Sequence, residues 1–248
     1  MNRPRFFLSL TLLTLVAINT NLAGEPKTLM VVPGESLVSF AFDEASDVDE
    51  TWIKFRKQTG FSVEGGAMRA IPPVLIDIPE EKRGDFWDSN FARAGLVGLP
   101  MDYVCSARWK YIRPANTKDL EKGLLYLDMG HRMIRVTVNR TGAVLILENH
   151  LIGRHDGKPA IVLDEAPGLK LTPDKWYEVV VEIKGDEVVV QFGDHVLYGR
   201  HPLIDGERYD TFNFDATGDG YFLDYLHAWT AGNYRNTWAE KRKKLPGK

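Results

Sequence analysis

Ionisable and hydroxyl-bearing side chains alternate with apolar residues along three segments in the middle of the chain. Leu125 and Leu127 alternate with Tyr126 and Asp128, and residues 101–113 and 132–138 alternate in the same way. A period of two places such side chains on one face of a β-strand. A further strand is predicted over residues 143–151, with Glu148 and His150 near its far end. We expect one outward sheet face to collect the polar members of these four segments, which are Arg108, Lys110, Tyr126, Asp128, Arg135, Glu148 and His150.

Asp128, Glu148 and His150 are the candidate acid and base groups for glycoside cleavage. Glycosidases use two carboxyl groups about 5–9 Å apart, and histidine titrates close to neutral pH. Charged groups can hydrogen-bond sugar hydroxyls and aromatic rings can stack on sugar rings, so the candidate substrate-binding residues are Arg108, Lys110, Tyr126, Arg135 and Trp87. The alternative is an ordinary solvated sheet face, on which opposite charges pair across neighbouring strands.

Several common catalytic and cofactor motifs are absent from the sequence. It contains no H-E-x-x-H metal motif, serine nucleophile elbow, P-loop or dinucleotide fingerprint, so no organic cofactor is expected. Cys105 is the only cysteine, which excludes an internal disulfide and a zinc site built from clustered thiolates. Because Cys105 alternates with Tyr103 and Ala107, we expect a small buried residue and not a nucleophile.

The elements that must position these side chains are predicted to be β-strands. Residues 176–199 contain three alternating runs separated by Gly185-Asp186 and Gly193-Asp194, which are two-residue breaks typical of antiparallel hairpins. The apolar face of such a meander needs a second sheet to cover it. The sequence therefore predicts an all-β fold, a two-sheet antiparallel sandwich. Residues 84–98 are predicted to form a long loop that contains Trp87.

Residues 1–24 have the pattern of a secretory signal peptide, with Arg3 and Arg5 before an apolar run over residues 6–18. This run is shorter than the roughly 18–20 apolar residues that span a membrane. Cleavage would leave a secreted or periplasmic chain without a membrane span. Its net charge of −3, or −5 without Arg3 and Arg5, argues against nucleic acid as a partner. Residues 25–230 are predicted to form one sandwich domain, followed by a polar, basic tail over residues 231–248.

The order of these segments resembles that of concanavalin A-like lectin/glucanase jelly rolls, which include laminin-G-like domains. The sequence S-F-A-F-D at residues 39–43 resembles their opening strand, and Y-F-L-D-Y-L-H-A-W at residues 221–229 resembles their closing strand. Residues 176–198 are similar to a laminin-G-like run. F-S-V-E-G-G-A-M at residues 61–68 resembles a hairpin of the secreted bacterial domains called 3-keto-disaccharide hydrolase-like, with Phe61 in place of the usual tryptophan.

The resemblance implies two antiparallel sheets, one of them concave, with carbohydrate held on the concave face or at its rim. Some members of these folds bind a structural calcium ion between the first and last strands, and such an ion would involve Asp43 and Asp224 here. The glucanase signature, a glutamate followed by aspartate two residues later and glutamate five residues later, is absent from this chain. Its absence argues against retaining glucanase chemistry of that type.

Together the residues and the resemblance predict a secreted domain that binds carbohydrate on a polar, concave sheet face. The first alternative is an enzyme that cleaves glycosides, either a hydrolase or a lyase acting on 3-keto-glycosides, with Asp128, Glu148 and His150 as its acid and base groups. The second alternative is a non-catalytic protein-interaction domain of laminin-G type.

Overall fold

The computed structural model describes residues 25–55, 59–72, 92–112, 125–130, 134–139, 142–148, 160–205, 210–216 and 220–245. Within these ranges the chain forms fifteen β-strands, one α-helix and two short 3₁₀ helices at Ala45–Asp47 and Pro202–Asp205. The helix is α1 (Trp238–Arg242). In chain order the strands are β1 (Val31–Phe40), β2 (Ile53–Phe55), β3 (Gly60–Val63), β4 (Met68–Ile71), β5 (Ala92–Val97), β6 (Tyr103–Tyr111), β7 (Leu125–Met129), β8 (Ile134–Val138), β9 (Ala143–Leu147), β10 (Ile161–Ala166), β11 (Tyr177–Lys184), β12 (Glu187–Phe192), β13 (His195–Arg200), β14 (Thr211–Ala216) and β15 (Tyr221–Tyr234).

The strands form two antiparallel sheets. The seven-stranded sheet has the spatial order β10-β9-β8-β7-β14-β5-β2. The eight-stranded sheet has the order β13-β12-β11-β6-β15-β4-β3, and β1 also pairs with β15. The predicted all-β, two-sheet sandwich is therefore confirmed, including the meander of β11, β12 and β13 that the sequence indicated.

The hydrophobic core lies between the two sheets because one face of each alternating strand is apolar. From the eight-stranded sheet, β6 contributes Trp109, which is fully buried and whose ring packs near the rings of Tyr111, Tyr177, Phe192 and Tyr221. From the seven-stranded sheet, β7 and β8 contribute buried aliphatic residues, which are Leu125, Leu127, Met129, Ile134, Val136 and Val138. Cys105 is buried as predicted, and burial raises the pKa of its thiol.

Strand β5 corrects the prediction of a continuous loop over residues 84–98. Ala92, Ala94 and Leu96 are fully buried in the core, and the strand pairs with β2 and β14. The loop prediction was wrong for residues 92–97 because alanine and glycine have low β-propensity, so the alternation was not recognised. Trp87, which was predicted within the same loop, lies outside the described residues.

The N-terminal part of the described chain packs on the outward face of the eight-stranded sheet. The carboxylate of Glu182 on β11 is fully buried and accepts hydrogen bonds from the backbone N–H groups of Leu29, Met30 and Val31 at 2.7, 2.7 and 2.8 Å. This one side chain therefore fixes the segment that enters β1. The predicted signal peptide, residues 1–24, lies outside the described residues and stays a prediction.

The C-terminal part packs on the same outward face. Strand β15 continues to Tyr234, past the predicted domain boundary at residue 230, and α1 follows. Trp238 of α1 packs edge-on against the ring of Tyr198, with ring centroids 5.6 Å apart. Glu187 accepts hydrogen bonds from the Tyr198 hydroxyl at 2.6 Å and from the Trp238 indole at 3.3 Å. Within the described ranges, no helix is both long and apolar enough to cross a membrane.

Candidate functional site

A cluster of ionisable side chains lies on the outward face of the seven-stranded sheet. We call it the charged network; its members are Arg93, Asp128, Arg135, Glu148 and Asp215. Cross-strand register brings them together, because Arg93 on β5 lies opposite Asp215 on β14, and Asp128 on β7 lies opposite Arg135 on β8. Side chains directly opposite on neighbouring strands have Cβ atoms about 4.5–5.5 Å apart. The network thus spans four adjacent strands.

Arg135 joins two of the carboxylates. Its Nε donates a hydrogen bond to Oδ1 of Asp128 at 2.6 Å, and its Nη1 donates to Oε1 of Glu148. The guanidinium also lies over the ring of Tyr126, 5.5 Å from the ring centroid. Because Asp128 and Glu148 contact two nitrogens of one planar guanidinium, the predicted carboxylate pair is brought to one place.

Arg93 joins Asp215 to Asp128. Its Nε donates to Oδ1 of Asp215 at 2.5 Å, and its Nη2 donates to Oδ2 of the same carboxylate, which makes the ion pair bidentate. The same Nη2 lies 3.4 Å from Oδ2 of Asp128. Asp128 consequently lies between the two guanidinium groups, and the network is continuous from Glu148 to Asp215.

The network is buried unevenly. Asp128 is 1% exposed, Asp215 4% and Arg135 6%, whereas the side chains of Arg93 and Glu148 are 24% and 23% exposed. Arg93 and Glu148 are therefore the members that a ligand can reach first. The first three hold them in place.

Burial raises the pKa of the Asp215 carboxyl to about 6, although its hydrogen bonds to Arg93 oppose the rise. The negative charge of nearby Asp128 adds to the rise. Burial lowers the pKa values of Arg93 and Arg135, but the neighbouring carboxylates outweigh burial, so both values are raised. Three carboxyl groups face two guanidinium groups, so a proton on Asp215 would make the network electrically neutral.

The core side of the sheet fixes the strands that carry the network. The hydroxyl of Tyr221, on the opposite sheet, accepts a hydrogen bond from the backbone N–H of Ala94 at 2.9 Å and donates to the carbonyl of Phe214 at 3.0 Å. Ala94 and Phe214 each neighbour a network residue in the sequence. Tyr221 therefore fixes β5 and β14 directly behind Arg93 and Asp215.

Glycine 95 leaves space for a further polar side chain beside the network. Gly95 lies opposite Asn213 on β14, and a methyl group at position 95 would overlap Oδ1 of Asn213. Asn213 in turn lies opposite Asp128. A side chain at position 95 would displace the Asn213 amide, so Gly95 is needed for Asn213 to keep its place on this face.

The structure divides the predicted polar face between the two sheets. Tyr126, Asp128, Arg135 and Glu148 share the outward face of the seven-stranded sheet, as predicted. Arg108 and Lys110 do not join them, because β6 belongs to the eight-stranded sheet. The prediction of one shared face is wrong for these two residues. Alternation shows which side of a strand is polar, but it does not show to which sheet the strand belongs. His150 lies outside the described residues.

Arg108 and Lys110 belong to a second polar group on the eight-stranded sheet. Arg108 contacts Asp224 at 3.0 Å and Glu178 at 3.6 Å. Nζ of Lys110 lies 4.7 Å from the ring centroid of Trp176 and 4.6 Å from that of Phe222. These are side chains paired across a sheet, and they lie on the far side of the sandwich from the charged network.

Among the described residues, no metal site is seen where the resemblance would place calcium. Asp224 is paired with Arg108, and the carboxylate of Asp43 lies near Gly66 in the turn between β3 and β4. No group of three histidine, cysteine, aspartate or glutamate side chains suitable for a metal occurs among the residues described. Calcium coordination normally takes six to eight oxygen ligands.

Sequence reasoning missed Arg93 and Asp215. The predicted loop over residues 84–98 included Arg93, and Asp215 was not among the candidate residues. The two residues are 122 positions apart in the chain. The available signal was the alternation A-R-A-G-L-V at residues 92–97, which puts Arg93 on the outward side.

Comparison with protein-family models and with curated proteins gives no match to this chain. Solved structures that share its fold include the following three. One is described with endo-acting O-glycanases that members of the human gut microbiota express to initiate mucin breakdown. It has a TM-score of 0.55 and 9% identity, and the match covers 80% of this chain and 100% of that one. The second is the Bacillus licheniformis β-glucanase, with a TM-score of 0.51 and 7% identity, covering 79% of this chain and 99% of that one. The third is LamAcat from Zobellia galactanivorans, with a TM-score of 0.50 and 10% identity, covering 79% of this chain and 98% of that one.

The protein therefore has a concanavalin A-like lectin/glucanase jelly-roll fold, as the sequence resemblance predicted. At 7–10% identity the likeness shows the fold alone. The narrower resemblance to the 3-keto-disaccharide hydrolase-like domains stays a prediction.

Proposed function

We propose that this protein binds carbohydrate on the outward face of the seven-stranded sheet, at the charged network. The observation that carries the proposal is the network itself, in which five ionisable side chains converge on the sheet face that the core does not use. Burying charges costs free energy even when they are paired. Strongly perturbed, clustered ionisable groups are therefore frequent at functional sites.

The chemistry of the network suits sugar hydroxyls, which both donate and accept hydrogen bonds. Glu148 offers carboxylate oxygens and Arg93 offers guanidinium N–H groups, and both are partly exposed. Asn213 on β14 and Thr137 on β8, the two strands that flank β7, add amide and hydroxyl groups, and both are partly exposed. Because all four lie on or next to β-strands, they would meet a ligand with little loss of conformational entropy.

A glycan array followed by titration calorimetry tests the proposal. We expect the mature protein to bind at least one array glycan, and Glu148→Gln to weaken that binding about tenfold by removing a charge-assisted hydrogen bond. Glu178→Gln is the matched control, since Glu178 is an exposed glutamate on the outward face of the other sheet. An array without any bound glycan, or equal losses in both variants, would reject the proposal.

Glycoside cleavage is the second candidate function, and the raised pKa of Asp215 is the observation that favours it. Glycosidases pair a carboxylic acid of raised pKa with an ionised carboxylate. Arg93 holds Asp215 next to Asp128, so the network contains a second pair of carboxyl groups besides the predicted Asp128 and Glu148. If the protein is an enzyme, Asp215→Asn should abolish turnover of mixed glycosides and 3-keto-glycosides while glycan binding persists. Turnover that survives in this variant would remove Asp215 from the mechanism.

The proposed compartment follows from the sequence. Export through the predicted signal peptide would place the binding face outside the cytoplasm, where glycans are accessible. Mass spectrometry of the exported chain would test this, with an N-terminus near residue 25 as the expected result.

A further inference from the structure

A cleft of about 580 Å³ lies where the edges of the two sheets meet, and none of its lining residues belongs to the charged network. Its walls are β10, the edge strand of the seven-stranded sheet, and β13, the edge strand of the eight-stranded sheet. Leu245, in the segment that follows α1, lines a third side of the cleft. A volume of this size is typical of a site for a small molecule.

The cleft combines an apolar surface with basic groups. Ile161, Val162 and Leu163 of β10 line it together with Leu245, and Val162 is 52% exposed although it is apolar. The ring of Tyr198 adds a further apolar surface. These residues would favour a ligand with an apolar body, because burying apolar surface is favourable.

The polar residues that line the cleft are basic, apart from the Tyr198 hydroxyl. They are Arg200, His201, Arg242 and Lys243, and no acidic residue lines the cleft within the described part of the chain. The chain as a whole has a net charge of −3, so this basic lining is a local feature and does not reflect the general composition. The groups that the lining itself presents to a ligand are therefore hydrogen-bond donors suited to an anion.

Arg200, Arg242 and Lys243 are each paired with a carboxylate that does not line the cleft, and Nζ of Lys243 donates to Glu240 at 3.0 Å. Nε of Arg200 donates to Asp186 at 2.8 Å, and Nη1 of Arg242 donates to Glu187 at 3.1 Å. In the described residues, neither terminal nitrogen of Arg200 has a protein acceptor. The guanidinium of Arg200 therefore keeps a pair of N–H groups that match a carboxylate or a sulfate.

His201 adds a donor beside this guanidinium. Its Nδ1 accepts a hydrogen bond from the backbone N–H of Leu203 at 3.2 Å. In the neutral imidazole the proton must then lie on Nε2, which makes Nε2 a hydrogen-bond donor.

We propose that this cleft binds an amphipathic organic anion, with its carboxylate or sulfate group on Arg200 and His201 and its apolar body against β10 and Leu245. The cleft shares no residue with the charged network, although its Ile161 lies opposite Leu147, the residue before Glu148.

Titration calorimetry with octanoate tests the proposal. Octanol, which lacks the charge, and acetate, which lacks the apolar body, are the ligand controls. We expect octanoate to bind at one site and both controls to bind at least tenfold more weakly, because each lacks one of the two recognised features. The same measurement with octyl sulfate distinguishes a preference for the carboxylate from a preference for any anionic group.

Two variants locate the binding. Arg200→Gln should weaken octanoate binding about tenfold by removing a charge-assisted contact, and Val162→Glu should abolish it by placing a negative charge in the cleft. Both positions are exposed, so we expect both variants to fold. Arg69→Gln is the matched control, since Arg69 also pairs with one exposed carboxylate but lies on β4. The proposal is rejected if octanoate does not bind, if octanol binds as tightly, or if the two cleft variants bind like the control.

Discussion

Replacement of Arg135 by methionine should destabilise the fold much more than the same replacement of an exposed arginine. Arg135 is 6% exposed and is the hydrogen-bond partner of both Asp128 and Glu148. Without it, Asp128 stays 1% exposed, with the 3.4 Å contact to Arg93 as its remaining guanidinium contact among the described residues. Removing one partner of a buried ion pair costs about 3–5 kcal/mol because the other charge remains buried.

Arg108→Met is the matched control for this prediction. Arg108 also lies on an outward sheet face and also contacts two carboxylates, Asp224 and Glu178, but its side chain is 40% exposed. Exposed ion pairs contribute about 0–1 kcal/mol. The two variants therefore differ chiefly in the burial of the charges that they leave behind.

Urea unfolding followed by tryptophan fluorescence measures both free energies of unfolding. We expect Arg135→Met to lose about 3–5 kcal/mol with an unchanged m-value. Adding Asp128→Asn to Arg135→Met should recover part of the loss, since the second change removes the buried charge. A loss in Arg135→Met no greater than that in Arg108→Met would show that the network is not a buried ion-pair cluster, and the reasoning would be wrong.

Three further predictions concern other carboxylates. The pKa of the Asp215 carboxyl is about 6 in the fold against 3.8 when exposed. Its contribution to the free energy of unfolding is therefore full below about pH 4 and falls by about 3 kcal/mol as the pH rises through 6. Urea unfolding across this range should show that fall in the Asp194→Asn control but not in Asp215→Asn. Glu182→Gln should lose about 1–3 kcal/mol and speed amide exchange at the start of β1; unchanged exchange would contradict the anchoring role of the carboxylate. Asp224 pairs with Arg108, so Asp224→Asn should change Tm equally in calcium and in EDTA; a loss seen only in calcium would support the calcium site instead.

The sequence predicted which side chains of a strand face the core, because a period of two is a local property. The alternation of Cys105 with Tyr103 and Ala107 correctly placed Cys105 in the core, and the outward side of β7 correctly held Tyr126 and Asp128. The same rule placed Arg135 beside Asp128 once β7 and β8 were joined as neighbours. This part of the site depends on contacts that are close in sequence.

The remaining parts of the site depend on contacts between distant segments. Arg108 was expected beside Asp128, but β6 and β7 lie in different sheets, and local alternation carries no information about that choice. Arg93 meets Asp215 through the pairing of β5 with β14, across 122 residues. The missed strand also contains Gly95, a residue that weakens a strand pattern but is needed here to leave space for Asn213.

Hydrogen–deuterium exchange with a bound glycan is the most direct test of the central claim that the charged network is a carbohydrate-binding face. The protein would be compared with and without the tightest-binding glycan from the array. We predict slower exchange in β5, β7, β8 and β14, the strands that carry or adjoin Arg93, Asp128, Arg135 and Asp215, with little change in β6 and β11. Slower exchange confined to β6 and β11, or no change in either sheet, would contradict the claim.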